Sequence, residues 1–162
     1  MNLIVAVSKN WGIGCENRLL FCIREDLQRF KQITTGKTVV MGHNTFRSLP
    51  GGKPLPNREN IVLSRDKNLQ IDGVIVCNST DALLQLLEGR PCEDIFIIGG
   101  ENVYTQFLPL CKCAIITKVN VAPPADAFMP NLDEHPDWQL SEESAPQFCG
   151  EISYTYCEYI RV

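Results

Sequence analysis

Residues 94–98 read Asp94-Ile95-Phe96-Ile97-Ile98 and run straight into Gly99-Gly100-Glu101-Asn102-Val103-Tyr104. A short, nearly continuous run of β-branched and aromatic residues predicts a strand buried on both faces. The glycine pair then turns it into a helix through Phe107. Upstream the same unit recurs. Asn78-Ser79-Thr80-Asp81 caps a helix over Ala82–Glu88 that ends at Gly89. Before it, Asn60–Ser64 and Gly73–Cys77 are strands separated by the polar Arg65–Asp72 connection. Lys37–Met41 is a further buried strand, followed by the turn Gly42-His43-Asn44-Thr45, a brief helix over Thr45–Leu49, and a breaker segment from Pro50 to Pro56. The helix from about Glu25 to Thr34 stops at Gly36, and Asn2–Ser8 reads as a central strand.

Strands alternating with helices predict an α/β protein with a doubly wound, mostly parallel central sheet of about eight strands and four helices. Cys113–Val119 and Ile152–Ile160 follow without long helices, so the end of the chain is expected to add an antiparallel C-terminal strand to the same sheet. No repeat, low-complexity tract or linker divides the sequence. One domain over residues 1–162 is expected.

A chain of 162 residues buries roughly two thirds of its unfolded surface and needs neither metal nor disulfides to hold it. Its 8 cysteines form no C-x-x-C pair, only Cys111-x-Cys113, and its 2 histidines are His43 and His135. Zinc, or any metal, is therefore not expected. Without a signal pattern or a long apolar run, the thiols read as small buried hydrophobes in a reducing cytoplasm, and no membrane partner is expected. The net charge of −4, with scattered basic residues, argues against a nucleic-acid surface.

Asp26 is out of place. In a helix opened by Glu25, it shares a face with Leu27, Phe30 and Ile33, so a carboxylate lies on the apolar side. Two readings stay open: a solvated first-turn acid that complements the helix dipole, or a carboxylate on the floor of an apolar pocket that awaits hydrogen-bond donors. Gly12-Ile13-Gly14-Cys15-Glu16-Asn17 matches the first two glycines of a dinucleotide fingerprint, but Asn17 replaces the third and no helix follows at once. A flexible loop from Gly12 to Ile23 is the better reading. The turns at Gly42–Thr45 and Gly99–Asn102 each join a buried strand to a helix, where either a tight connection or a phosphate cradle explains the glycines. Ser64-Arg65 at a strand end is either an ordinary exposed cation or the basic contact that an NADP phosphate takes.

Ile13-Gly14-x-Glu16-Asn17 and then Glu25-Asp26-Leu27-x-x-Phe30-Lys31 resemble the N-terminal signature of the dihydrofolate reductase family, bacterial chromosomal type, and later segments continue in register to the C-terminus. The resemblance implies a cytoplasmic, monomeric enzyme that uses NADPH to reduce 7,8-dihydrofolate, with hydride arriving at C6 and a proton at N5. It assigns the pterin-binding acid to Asp26, a hydroxyl partner to Thr117, and the mobile-loop aromatic to Phe21. Substrate contacts fall on Val5, Ala6, Leu27, Phe30, Lys31, Leu49, Leu55 and Ile98, with Arg58 gripping the carboxylate of the glutamate tail. Cofactor contacts fall on Ala6, Ile13, Asn17 and Leu19, on Gly42, His43, Asn44 and Thr45, on Leu63, Ser64 and Arg65 around the 2'-phosphate, and on Ile98 through Tyr104. The last segment comprises Ile98, Gly99, Gly100, Glu101, Asn102, Val103 and Tyr104, with a strained cis peptide at Gly99-Gly100. Departures are Leu19-Leu20-Phe21 where many members carry Leu-Pro-Trp, Arg24 in place of a frequent proline, and Asn102 and Cys77 at positions that are often basic. Two rival readings remain: a related pteridine or pyrimidine reductase, and a noncatalytic NADPH-binding module. Asp26 together with Arg58 argues against the first, and the second could keep the two phosphate turns while losing the pocket acid.

Overall fold

The computed structural model describes residues 1–162. In chain order the elements are β1 (Asn2–Val7), β2 (Gly12–Cys15), β3 (Arg18–Leu19), α1 (Arg24–Thr34), β4 (Thr38–Gly42), α2 (His43–Ser48), β5 (Glu59–Leu63), β6 (Val74–Cys77), α3 (Thr80–Leu87), β7 (Ile95–Gly99), α4 (Glu101–Phe107), β8 (Cys113–Val119), β9 (Ala127–Phe128), β10 (Trp138–Glu143), β11 (Gln147–Cys149) and β12 (Ile152–Arg161). The central sheet runs β10-β12-β8-β1-β7-β4-β5-β6, with the short β11 paired on β12. From β8 to β6 every pairing is parallel, and β12 joins antiparallel to β8. The expected doubly wound sheet with its antiparallel C-terminal strand is the observed one.

Alternating side chains of the same strands explain why this sheet needs helices on both faces. Leu3, Val40, Ile61 and Ile97 point into one core, which α3 and α4 cover with Leu83, Leu87, Val103, Tyr104 and Phe107. Their neighbours Ile4, Val39, Met41, Val62 and Phe96 form the other core, under Phe46 of α2 and Phe30 and Ile33 of α1. Each fully buried side chain of this size contributes roughly 1.5–3 kcal/mol. Local signals set the helix ends. Ser79 accepts a 3.1 Å hydrogen bond from the Ala82 amide and caps α3.

Two expectations need correction, and one strand has no expectation to meet. The segment after β1 is not a featureless loop: β2 and β3 form a hairpin in which Cys15 pairs with Arg18, and β9 pairs on the other side of β2. Its two turn residues, Glu16 and Asn17, both have positive φ (51° and 59°), the geometry a two-residue hairpin turn requires. The helix expected over Thr45–Leu49 begins two residues earlier, at His43, because Gly42 in extended conformation ends the strand and starts the helix without an intervening loop. Strand β10 is not anticipated by the sequence pattern at all. Only its Trp138 is buried, and the five residues after it are exposed at the sheet edge, so no apolar alternation marks it.

Candidate active site

Four neighbouring strands, β7, β4, β5 and β6, open at their carboxyl ends into one cleft of about 960 Å³. Three inter-strand spacings make its floor about 14 Å long. Each strand contributes its end and the turn after it: Ile98-Gly99-Gly100, Gly42-His43-Asn44-Thr45, Leu63-Ser64-Arg65, and Asn78-Ser79-Thr80. Val5 of β1 lies beside the β7 end. Across the cleft stand Ile13, Cys15, Asn17, Arg18 and Leu19 of the hairpin. The hairpin is held in place by Asp126, whose carboxylate accepts from the Glu16 amide at 2.9 Å and whose amide donates to the Gly14 carbonyl at 3.0 Å.

The floor is built for close approach. Neither α2 nor α4 has a side-chain cap, so their first-turn amides keep free hydrogens at the cleft. A Cβ on Gly42 would stand 3.3 Å from Val103 Cγ2, and one on Gly100 would stand 3.2 Å from Thr45 Oγ1, so each turn packs tightly against the other and a side chain at either position would require its neighbour to shift by a few tenths of an ångström. The Gly99-Gly100 peptide is cis, and Gly99 has a φ of +123° that favours glycine. Behind them the Tyr104 hydroxyl donates to the Ile4 carbonyl at 2.9 Å. At the far end the Asn78 amide donates to the Ser64 and Asp66 carbonyls, at 2.9 and 3.1 Å, and locks the β5 and β6 turns together. The Asp66 carboxylate accepts from the Asn68 amide at 2.9 Å, and Arg65 makes no ion pair, so an exposed, uncompensated cation remains there.

One strand beyond β1, on the side away from β7, lies the acid. The Thr117 hydroxyl donates a 2.6 Å hydrogen bond to Asp26 Oδ1, and Thr117, 4% exposed, pairs in register with Ala6 of β1. Burial raises the Asp26 carboxyl above its ordinary range, against the opposing pull of the Thr117 hydrogen bond and the Arg29 charge. Phe30, Leu49, Leu55 and Ile98 border the second core, each half-buried, while Leu27 is 44% exposed and leaves an apolar side chain for a ligand to cover. Arg58 is aimed by two contacts of its own, Nε to the Pro56 carbonyl at 2.9 Å and Nη1 to Thr34 Oγ1 at 3.1 Å, which leave Nη2 unengaged.

The expected cofactor residues all line the cleft except Ala6, which stands in β1 opposite Thr117. Lys31 is exposed on the last turn of α1, and Phe21 packs with Ile23, Val119 and Tyr154 rather than lining the cleft. Sequence reasoning passes over Asn78, Ser79 and Thr80, because the helix cap already accounts for them. A signal exists all the same: they form a third strand-to-helix turn, which opens onto the same cleft as the other two. Cys77, singled out as a lost cation, is buried beneath that turn. No group of three or more His, Cys, Asp or Glu is close enough to hold a metal ion.

A long cleft over parallel strand ends, floored by two glycine turns, with a sheltered carboxylate one strand away, has the architecture of dinucleotide-dependent oxidoreductases. A family model described as dihydrofolate reductase matches residues 1–161. Among curated relatives, the type 3 dihydrofolate reductase of Salmonella typhimurium is 38% identical over 160 residues, covering 99% of this chain and 95% of its own. The dihydrofolate reductase of Bacillus subtilis (strain 168) is 33% identical over 161 residues, covering 98% and 93%. A solved dihydrofolate reductase from Enterococcus faecalis, complexed with NADP(H) and RAB-propyl, superposes with a TM-score of 0.87 at 30% identity, covering 99% of this chain and 95% of that one. The chain belongs to the dihydrofolate reductase family. Its members are NADPH-dependent oxidoreductases that reduce dihydrofolate.

Proposed function

We propose that this chain reduces 7,8-dihydrofolate to 5,6,7,8-tetrahydrofolate with NADPH, by hydride transfer to C6 and protonation of N5. The observation that carries this reading is the Asp26–Thr117 pair, a sheltered carboxylate with one hydroxyl partner, one strand from the cleft. NADPH, when bound, supplies the hydride. The strand ends support a cofactor lying along the floor: the turns at Gly42–Thr45 and Gly99–Val103 for the pyrophosphate, Ser64 and Arg65 with Asn78–Thr80 for the 2'-phosphate, and Val5, Ala6, Ile13 and Ile98 at the nicotinamide end.

The rest is done by the chain's own groups. Asp26, ionised in the complex, anchors the pterin edge that carries the amino and amide groups and favours the protonated ring. Thr117 Oγ1 gives its hydrogen to Asp26 and keeps lone pairs for the pterin amino group. Phe30, Leu49, Leu55 and Leu27 supply the apolar walls around the aminobenzoyl ring, and Arg58, with Lys31 nearby on α1, faces the glutamate tail. Leu19 of the hairpin lines the cofactor cleft, and Phe21, on the segment between the hairpin and α1, is the aromatic of the loop beside the site. One domain acting as a cytoplasmic monomer, without nucleic acid, completes the reading. It is supported by a sheet that runs from residue 2 to residue 161, by eight free cysteines and by a net charge of −4. No helix is long and apolar enough to cross a membrane.

NADPH oxidation followed by absorbance, with dihydrofolate as substrate, tests the proposal. Turnover to tetrahydrofolate is expected. Turnover only with pteridines that lack the glutamate tail, or binding of NADPH without turnover, would replace it with one of the rival readings.

A further inference from the structure

Asp26 has a second neighbour that no catalytic assignment uses. Arg29 lies three residues on along α1, so both side chains leave the same side of the helix one turn apart. Its guanidinium carbon stands 4.2 Å from the ring centroid of Tyr156 on β12, within cation–π range. It makes no ion pair and donates no hydrogen bond to the protein, so the ring fixes its position, not an acid. Tyr156 in turn is the register partner of Thr117 on β8, the residue bonded to Asp26. Its own ring is held edge-on by Tyr154, at 5.6 Å between centroids and 72° between planes. The four residues therefore close a loop: Asp26 to Thr117 by hydrogen bond, Thr117 to Tyr156 by register, Tyr156 to Arg29 by stacking, and Arg29 back to Asp26 along the helix.

We propose that Arg29, seated on the Tyr156 ring one helical turn from Asp26, is a positioning residue: the stacking fixes its guanidinium as the positive charge that faces the Asp26 carboxylate. The inference rests on the proposed reduction, in which the ionised Asp26 anchors the pterin.

The charges that reach Asp26 make the argument specific. From α1 the facing charge is Arg29; from β12 it is the Tyr156 phenol; from β8 there is only the uncharged Thr117 hydroxyl; and β1 presents Ala6. Burial, with Tyr154 and Asp26 beside it, pushes the Tyr156 phenol up to about 12, so it is neutral wherever the enzyme works. Arg29 is then the one full positive charge that works, beside the Thr117 hydrogen bond, against desolvation of the carboxylate. An exposed arginine on a free stem would be screened and mobile. Stacking on a ring that the sheet itself positions keeps it within reach. The same charge opposes a proton on N5, so Arg29 also sets how far toward alkaline pH hydride transfer persists.

Titration of the Asp26 carboxyl carbon by NMR in the full-length protein, identified by its loss in Asp26→Asn, reads the coupling directly. Single-turnover hydride transfer against pH reads its consequence. Arg29→Met should move the Asp26 midpoint upward, and Arg29→Lys should restore most of it. Tyr156→Phe, which keeps the ring, should match wild type, whereas Tyr156→Leu should behave as Arg29→Met does. Above the alkaline limb, Arg29→Met should transfer hydride about threefold faster than wild type, the effect of one charge at near-water screening. An Asp26 midpoint in Arg29→Met equal to wild type, a Lys variant displaced as far as Met, or an unshifted Tyr156→Leu would overturn the inference. If wild type fails to oxidise NADPH with dihydrofolate, the proposed function falls and the catalytic role with it, while the titration still decides whether Arg29 and Asp26 are coupled.

Discussion

The Thr117 hydroxyl on β8 donates a 2.6 Å hydrogen bond to the Asp26 carboxylate on α1, a link across 91 residues of chain. It joins the one buried hydroxyl of β8 to the one half-buried acid of α1. A single hydrogen bond to a charged group contributes roughly 1.5–3 kcal/mol. Here it works against desolvation, and desolvation wins: the carboxyl is raised, not lowered. Asp26 is therefore present at a cost to the fold.

That cost is measurable. Because the folded carboxyl lies above its value in the unfolded chain, the unfolded chain loses its proton first, and stability falls as pH rises from the ordinary Asp range through the raised folded value. Asp26→Asn keeps an acceptor for Thr117 and removes the charge. Its Tm at neutral pH should exceed that of wild type by about 1–3 °C, the order expected for a fraction of a kcal/mol in a chain of this size. The gap should close below the ordinary Asp range. Thermal melts of the two proteins across pH check this, and a destabilised Asn variant at neutral pH would contradict it.

In the proposed function, cofactor choice rests on Arg65, exposed just past the end of β5 with no carboxylate holding it. Arg65→Ala should weaken NADPH binding by about 10- to 150-fold, the loss of one charge-assisted bond, and leave NADH nearly unchanged. Titration of both cofactors decides it; equal losses would move the 2'-phosphate elsewhere, to Asn78–Thr80 first.

For Arg58 the expectation separates binding from chemistry. Arg58→Leu should raise KM for dihydrofolate at least about tenfold, while single-turnover hydride transfer at saturating substrate changes little, since lost contacts far from the reacting carbons are uniform binding. It should also lower stability by about 1 kcal/mol through the bonds to Pro56 and Thr34. A collapsed hydride rate with unchanged KM would mean that Arg58 faces the reacting ring.

What could be read in advance follows from what side chains report. Strands β1, β4, β5, β7 and β8 announce themselves because both their faces are buried, and a short continuous apolar run between turn residues seldom forms anything but a central strand. Strand β10 stays silent because one buried tryptophan and five exposed residues carry no period. The hairpin is hidden differently: Glu16 and Asn17 adopt positive φ without glycine, so the strongest hairpin signal is missing. At the site, glycines expose the turns of β4 and β7, since Gly42 and Gly100 pack closely against Val103 and Thr45. Asn78–Thr80 at the same cleft read as an ordinary helix cap, and nothing in the sequence singles out Arg29. Only the register that sets Tyr156 opposite Thr117 gives Arg29 its place.

The most direct measurement is single-turnover hydride transfer from NADPH to dihydrofolate by wild type and Asp26→Asn, from neutral to acidic pH. With Asp26 favouring the protonated pterin, the Asn variant should be slower by about 10²- to 10⁴-fold at neutral pH, the range for a missing acid–base group. The deficit should narrow as solvent protonates the substrate directly. A wild-type rate in the variant at neutral pH, or a deficit that stays constant into acid while the protein remains folded, would contradict that role and leave Asp26 an ordinary acid at the start of a helix.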